Sequence, residues 1–522
     1  MPRRSPAPVL IAALAALWFQ PAPTPASAQQ PNSPRSVGGV IPPSSGERYN
    51  RLLIRNAYVI DGTGNPMRGP MDILIEGATI TNVTRSSATD EFGTGRDTSS
   101  EAAPPADRVI DAQGMYVIPG IIDLHGHIQF SRNGEPMPRD YVYKLWLAHG
   151  ITTVRDPGSG EGIDTIAHHA RLSKGNIIAA PTIIPYAVPE GGTPEEIRES
   201  VRDLKRRGAL GLKMFIARPD VWQAVAEEAR TQGLPIATDL KIQETDAIDA
   251  ARLGIRSLEH WYGVPDAAIP GPQNFPADYS YDDELDRFRW AGDLWRQADP
   301  ALLSAVLDTM LAHDVTWDPT FAVYEANRDL SRARNLPWFR DYALPNLLAF
   351  FEPDARRHGS FHLGWTTTDE VMWRDNIRIW MDWVREYAER GGNVTVGSDA
   401  GFIYHLYGFA TIREMELHQE AGFHPLEVIR QATSNGARAL GLERTGVVRP
   451  GFEADLAIVD GNPLHNLKVL YGTGVEVEQD GRIVRRGGVR YTIKDGIVFD
   501  APALLADVRA MVQDAKESIS AP

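Results

Sequence analysis

The chain has 522 residues, 43% of them hydrophobic and 23% charged, with a formal net charge of −15. The length exceeds one typical domain and allows a large core, while the acidic balance argues against a general nucleic-acid or anionic-membrane binder. There is no cysteine, which excludes disulfides and thiolate chemistry, so any metal must be held by His, carboxylate, Lys-derived or backbone ligands.

Residues 1–28 read as an export signal. Arg3 and Arg4 form a short basic region, "VLIAALAALWF" (9–19) is apolar but short for a membrane span, and "ASA" (26–28) is an A-x-A cleavage site. Cleavage would remove Arg3 and Arg4, taking the charge from −15 to −17. The expectation is an exported protein, periplasmic or extracellular, with no stable membrane insertion after signal cleavage. The paired arginines fit a twin-arginine signal poorly, which leaves the export route open. Residues 29–49 are rich in Pro, Ser, Gly and Gln and predict a disordered lead-in.

Strand-like alternation begins in "RLLIRNAYVIDGTG" (51–64) and continues in "MDILIEGATITNV" (71–83), with turn signals at "DGTG" and "EGAT". A polar loop (84–107) follows, and "RVIDAQGMYVIPG" (108–120) resumes strand character. Beyond it, short apolar runs alternate with helical patterns: "GIIDLHGH" (120–127), "ITTVRD" (151–156), "NIIAAPTII" (176–184), "LGLKMFI" (210–216), "PIATDL" (235–240), "IRSLEHWY" (255–262), "VTWDPTF" (315–321) and "VTVGSDA" (394–400). Between them, "TPEEIRESVRDLKRRG" (193–208) carries the marks of a helix, with Thr193 as N-cap, Pro194 at the first position and Gly208 as terminator. Eight such repeats predict an α/β fold of the (β/α)8 TIM-barrel type over 119–442. The stretch 263–314 must hold extra structure over the barrel mouth. The aromatic stripe of 369–392, with Trp373, Trp380 and Trp383, reads as core packing. Strands return in "GVVRPGFEADLAIVDGNP" (446–463) and 475–501. Segments 50–118 and 443–500 thus form the two parts of a small β-sandwich into which the barrel is inserted, and 501–522 is a C-terminal helix or tail.

The chemistry lies at the strand ends. His125 and His127 in "DLHGH" are two apart, so on a strand both face one side and both reach one metal. The C-terminal ends of barrel strands are where barrel enzymes build their sites. Lys213, Asp239, His260 and Asp399 occupy four further strand ends. Each also has a structural reading: a packed strand-end pair for the histidines, a helix-start carboxylate for Asp399, a hydrogen-bonded core imidazole for His260, a paired buried lysine for Lys213, and a carboxylate orienting a histidine for Asp239.

With these residues in place, the chain resembles the amidohydrolase superfamily, in particular its imidazolonepropionase-like and Xaa-Pro dipeptidase-like branch. "VIPGIIDLHGH" (117–127) is similar to its first-strand signature, "HGITTVRD" (149–156) to its second strand, and "PGFEADLAIVDGNPL" (450–464) to its return to the β-domain. The resemblance implies a divalent metal centre of one or two ions, with zinc the expected metal. His125, His127 and Asp399 would hold the first ion, and Lys213, carboxylated by carbon dioxide, would bridge it to a second ion bound by His260. Asp399 would also move the proton of the attacking water. One position departs from the pattern: Asp239 stands where the family usually carries a histidine for the second metal. Asp is a competent oxygen ligand, harder than imidazole, so the second site is either altered or empty.

Arg155, Tyr262 and His405 are candidates for substrate binding, by strand-end or loop placement. The expected function is cleavage of a C–N bond, in an amide, cyclic amide or dipeptide, by metal-activated water. Two alternatives stay open: a mononuclear ester or lactone hydrolase or a non-hydrolytic enzyme on the same fold, and a catalytically lapsed binding protein, favoured only by Asp239. The expected partners are a small-molecule or dipeptide substrate and a second copy of the chain in a homo-oligomer.

Overall fold

The computed structural model of the protein describes residues 46–86, 105–215, 218–240, 245–270, 280, 284–354 and 362–520. The predicted export signal and lead-in lie outside the described residues, apart from 46–49. No helix among the described residues is long and apolar enough to cross a membrane.

Eight parallel strands pair in chain order: β1 (Ile121–Asp123), β2 (Ile151–Gly158), β3 (Thr182–Ala187), β4 (Gly211–Met214), β5 (Ile236–Thr238), β6 (Ser257–Glu259), β7 (Thr316–Asp318) and β8 (Asn393–Val394). The last meets the first. Leu124 N–H donates to Val396 O at 2.9 Å, Asp399 N–H donates to His125 O at 2.7 Å, and Gly126 bridges Ala400 in parallel. These bonds close the predicted barrel, and they do so at the residues that carry the metal-site candidates. Most of the strands are only three or four residues long and fully buried, as fits parallel strands covered on both faces.

The helix Pro194–Arg207 starts as its sequence predicts. The Thr193 side chain accepts from Glu196 N–H, Glu196 returns the bond to the Thr193 backbone, and Gly208 ends the helix at a φ of 108°. The connection between β6 and β7 contains two helices, Glu284–Gln297 and Pro300–Ala312. The long helix Thr367–Glu389 buries Trp373, Ile377, Trp380 and Met381, so its aromatic stripe is core.

Strands from both ends of the chain share one β-domain. Its continuous nine-stranded sheet includes Arg51–Val59, Arg68–Glu76 and Met115–Pro119 from the first part and Leu456–Asp460, Gly488–Lys494 and Ile497–Asp500 from the last. The two parts meet where Met115–Pro119 pairs antiparallel with Leu456–Asp460. Leu52, Ile54, Ile73, Val117, Ile458 and Ile493 form its core. Met115–Pro119 runs almost directly into β1 through Gly120, where an added Cβ would lie 2.1 Å from Thr152 Oγ1. Only glycine lets the β-domain strand pass so close to β2 and turn into the barrel. The helix Ala501–Ser520 packs on the barrel helix Tyr141–Leu147, with Lys144 Nζ 3.0 Å from Asp507.

Candidate active site

Four predicted ligands converge at the barrel mouth. The Asp399 carboxylate lies 3.8 Å from His125 Nε2, 3.1 Å from His127 Nε2 and 3.9 Å from His260 Nε2. His260 Nε2 is also 3.6 Å from Asp239. Donor atoms of His125, His260 and Asp399 all fall within 4.8 Å of one another, which is the spread expected of ligands around one or two small cations.

The supporting bonds aim these donors. His125 Nδ1 is 2.7 Å from Glu259 Oε2, and an ionised carboxylate only accepts, so Nδ1 carries the proton and Nε2 offers its lone pair to the centre. Burial pushes the Glu259 carboxyl up, but the Arg155 guanidinium, His125 and Lys213 outweigh it and hold the group well below the usual carboxylate range. His260 Nδ1 is 2.5 Å from Thr320 Oγ1, and that hydroxyl donates to Pro319 O at 2.6 Å. Thr320 therefore accepts from His260 Nδ1–H, and His260 too presents Nε2.

A second layer of bonds fixes the carriers. Asp123 accepts from His125 N–H at 3.1 Å, Ser398 N–H at 2.9 Å, Ser398 Oγ at 2.6 Å and Thr411 Oγ1 at 2.7 Å, locking β1 to the β8 loop below the site. Buried Glu414 accepts from Phe321 N–H at 2.8 Å and Ala322 N–H at 2.6 Å, holding the turn that carries Thr320. Asp399, His260 and Thr320 all sit at left-handed φ, 47°, 61° and 52°. Such backbone costs about 1–3 kcal/mol per residue and persists where surrounding bonds over-determine it, as they do here.

Burial pushes the His125 imidazole down to about 3, against the attraction of Asp399. Asp399 is buried too, yet His125, His127 and His260 hold its carboxyl below the carboxylate range. Imidazoles grouped around an ionised carboxylate are a donor set suited to a divalent cation.

Lys213 is 1% exposed and its Nζ has no hydrogen-bond partner. Its charge bears on both His125 and Glu259. A buried ammonium that makes no hydrogen bond, with the Phe215 ring centre 5.5 Å away, is costly as it stands, and a carboxylated, metal-bridging side chain would remove that cost. The residues present therefore fit a metal centre. A second acidic group, His125, Glu259 and Asp318, lies on the far side of the His125 ring. Arg155 already neutralises it at 2.6 Å from Glu259 and 3.5 Å from Asp318.

Asp239 follows β5 directly, with its backbone N–H on Met214 O at 3.0 Å, and so occupies a strand end facing His260. The remaining candidates fall in different places. Arg155 is buried, and its guanidinium is engaged by protein groups. Register aligns Val154 with Asp123, and the guanidinium donates inside the barrel to Leu124 O, Ser257 Oγ at 2.7 Å and Glu259 at 2.6 Å. Tyr262 stands beside His260 with ring centres 5.5 Å apart, and its hydroxyl accepts from Tyr324 Oη at 2.9 Å. His405 is buried behind the β8 loop with Nε2 unpartnered, and burial pushes its imidazole down to about 4.

Glu259, Thr320, Asp123 and Glu414 were not among the sequence candidates. Glu259 and Asp123 stand within two residues of predicted ligands, in "SLEH" and "DLHGH", and that adjacency was the available signal. Thr320 and Glu414 carry none.

The amidohydrolase family model matches residues 116–498. The chain is 25% identical over 430 residues to an adenine deaminase of Methanothrix thermoacetophila, across 79% of this chain and 59% of that one. It therefore spans about three-fifths of that relative's length. It is 21% identical over 504 residues to a 5'-deoxyadenosine deaminase of Methanococcoides burtonii, across 90% of this chain and 97% of that one. Among solved structures, a Xaa-Pro dipeptidase with bound methionine superposes with a TM-score of 0.59 at 18% identity, covering 86% of this chain and 100% of the other. At that identity the likeness is one of fold.

Proposed function

We propose that the chain, which belongs to the amidohydrolase family, is a metal-dependent hydrolase that cleaves a C–N bond in an amide, cyclic amide or dipeptide. The observation that carries this reading is the convergence of three imidazole Nε2 atoms on the Asp399 carboxylate, with the His125 and His260 tautomers set by Glu259 and Thr320. His125, His127 and Asp399 would hold one ion, and His260, Asp239 and a carboxylated Lys213 would hold or bridge a second. A divalent ion such as zinc, when bound, supplies polarisation of the scissile carbonyl and acidification of water near neutral pH. Asp399 accepts the proton of the attacking water and returns it to the leaving nitrogen. Glu259 and Thr320 keep the imidazoles from turning, and the Tyr262–Tyr324 hydroxyl pair stands beside His260.

The relatives named as deaminases act on C–N bonds, which supports the bond class and leaves the substrate to experiment. A mononuclear variant of the same chemistry is the second reading, favoured by Asp239 in place of an imidazole. Residues 1–28 support export to the periplasm or beyond.

The test is release of amine or ammonia by the zinc- or manganese-loaded protein from a panel of dipeptides, N-acyl amino acids, cyclic amides and adenine. Metal-dependent turnover of one class is expected. Equal rates after chelation, or no C–N hydrolysis with either metal, would overturn the reading.

A further inference from the structure

The loop after β1 folds back as a two-residue ladder, Ser131–Arg132 against Glu135–Pro136. It brings Arg132 against the loop that follows Asp399. Arg132 Nη2 donates to Gly401 O at 3.1 Å, two residues beyond Asp399. The guanidinium carbon lies 4.6 Å from the centre of the Phe350 ring and 4.7 Å from that of Phe402. Phe402 in turn meets the His127 ring edge-on, with centres 5.2 Å apart. One aromatic ring thus separates this cation from a metal-site imidazole.

Among the described residues the cation has no counter-ion, and its side-chain hydrogen-bond partner is the Tyr407 hydroxyl. No carboxylate of the described residues lies within ion-pair distance of it, and its Nε–H is buried without an acceptor. Arg132 is half-buried, with its Nε inside; among the described residues the fully buried arginines are paired, Arg155 with Glu259 and Arg413 with Glu325, both at 2.6 Å. Burial pushes the Arg132 guanidinium down, against the pull of Tyr407, Glu161 and Asp399. A partly desolvated charge without a carboxylate partner is costly to maintain, and two phenyl faces recover only part of that cost. A planar fork with unused donors beside a reaction centre is suited to a carboxylate.

We infer that Arg132, clamped between Phe350 and Phe402, receives a carboxylate of the substrate and selects carboxylate-bearing amides with an apolar group over neutral amides and neutral bases. This deepens the proposed C–N hydrolysis and rests on it for the placement of the scissile bond. It also moves the anion-binding role from Arg155, which is committed inside the barrel, to a residue of the β1 loop.

The probes are N-acetyl-L-phenylalanine and its neutral amide, titrated by tryptophan fluorescence against the full-length protein, zinc-loaded and chelated. The chelated arm removes direct ligation of the probe's carboxylate to metal. Wild type is expected to bind the acid at least tenfold more tightly than the amide in both arms. Arg132→Gln should abolish the preference and Arg132→Lys should retain part of it, with unchanged melting temperatures certifying the fold. Equal affinities in wild type, no saturable binding of the acid, or a preference that survives in folded Arg132→Gln would overturn the inference. Turnover of the panel separates the two claims. Hydrolysis with no preference for carboxylates sinks the role of Arg132 alone. An intact Arg132-dependent preference without metal-dependent hydrolysis sinks the hydrolase alone.

Discussion

Arg155 Nη2 donates to Glu259 Oε2 at 2.6 Å, and the same oxygen meets His125 Nδ1 at 2.7 Å. The arginine therefore acts on the metal site through two intermediates without touching it. Arg155→Met leaves Glu259 ionised and buried without its guanidinium, held only by His125 Nδ1–H and Ser257 Oγ, and breaking such an ion pair costs about 3–5 kcal/mol. We expect a large fall in the melting temperature. Glu259→Gln is the gentler change: it keeps the volume, loosens His125 and should weaken metal binding by about 10–100-fold. Metal content after dialysis against a competing chelator checks this, and unchanged affinity in Glu259→Gln would refute the role.

Lys213 makes the opposite prediction. Its Nζ has no hydrogen-bond partner when unmodified, only the Phe215 ring centre at 5.5 Å, so Lys213→Met should leave the metal-free protein as stable as wild type or more so, because a buried charge without an acceptor is removed. The same variant should lose at least about 100-fold in turnover if the lysine bridges the ions. Differential scanning calorimetry of the chelated proteins checks the first part. A drop of many degrees would show that the ammonium has a structural partner after all.

Thr320 tests the second ion separately. Thr320→Val keeps the shape of the side chain but removes the acceptor of His260 Nδ1–H. Affinity for the second ion should fall by about 10–100-fold, while that for the first, on His125, His127 and Asp399, stays near wild type. A two-step zinc titration resolves the two sites. Equal weakening of both steps would mean that the effect is global.

A pH dependence follows from His149, far from the metal donors. It is buried, with Nδ1 donating to Leu145 O at 2.7 Å, and burial pushes its imidazole from 6.5 to about 4. Its folded pKa is thus below its unfolded one, so the unfolded chain takes up the proton first as pH falls. The stability from keeping His149 neutral is complete above pH 6.5 and is lost progressively toward pH 4, by roughly 3 kcal/mol at most. His149→Gln removes this dependence. The difference in urea unfolding free energy between wild type and variant should narrow between pH 7 and 4, and a constant difference would contradict it.

The barrel was legible because its eight apolar runs are separated by capped helices, and because His125, Lys213, His260 and Asp399 each end such a run. Periodicity places a residue at a strand end, but it does not say how deep the strand sits. The bonds of Arg155 were hidden for that reason: β2 pairs Val154 with Asp123, and Arg155 Nε donates to Leu124 O. Thr320 and Glu414 were invisible because their roles depend on contacts 60 and 93 positions away, with His260 and Phe321. Arg132 sits in a turn whose path no local pattern fixes. The short ligand-bearing strands are specified by what they pack against more than by their own propensity.

The central claim is that hydrolysis of a C–N bond depends on metal held by His125, His127, His260 and Asp399. Its most direct test is a single titration in which bound zinc per chain and rate of C–N cleavage are read from the same samples, for wild type and Asp399→Asn. The account predicts that the wild-type rate rises with bound zinc and vanishes with it, and that folded Asp399→Asn loses at least about 1,000-fold of the rate at every zinc level. A rate independent of bound zinc, or near-native turnover in Asp399→Asn, would contradict it.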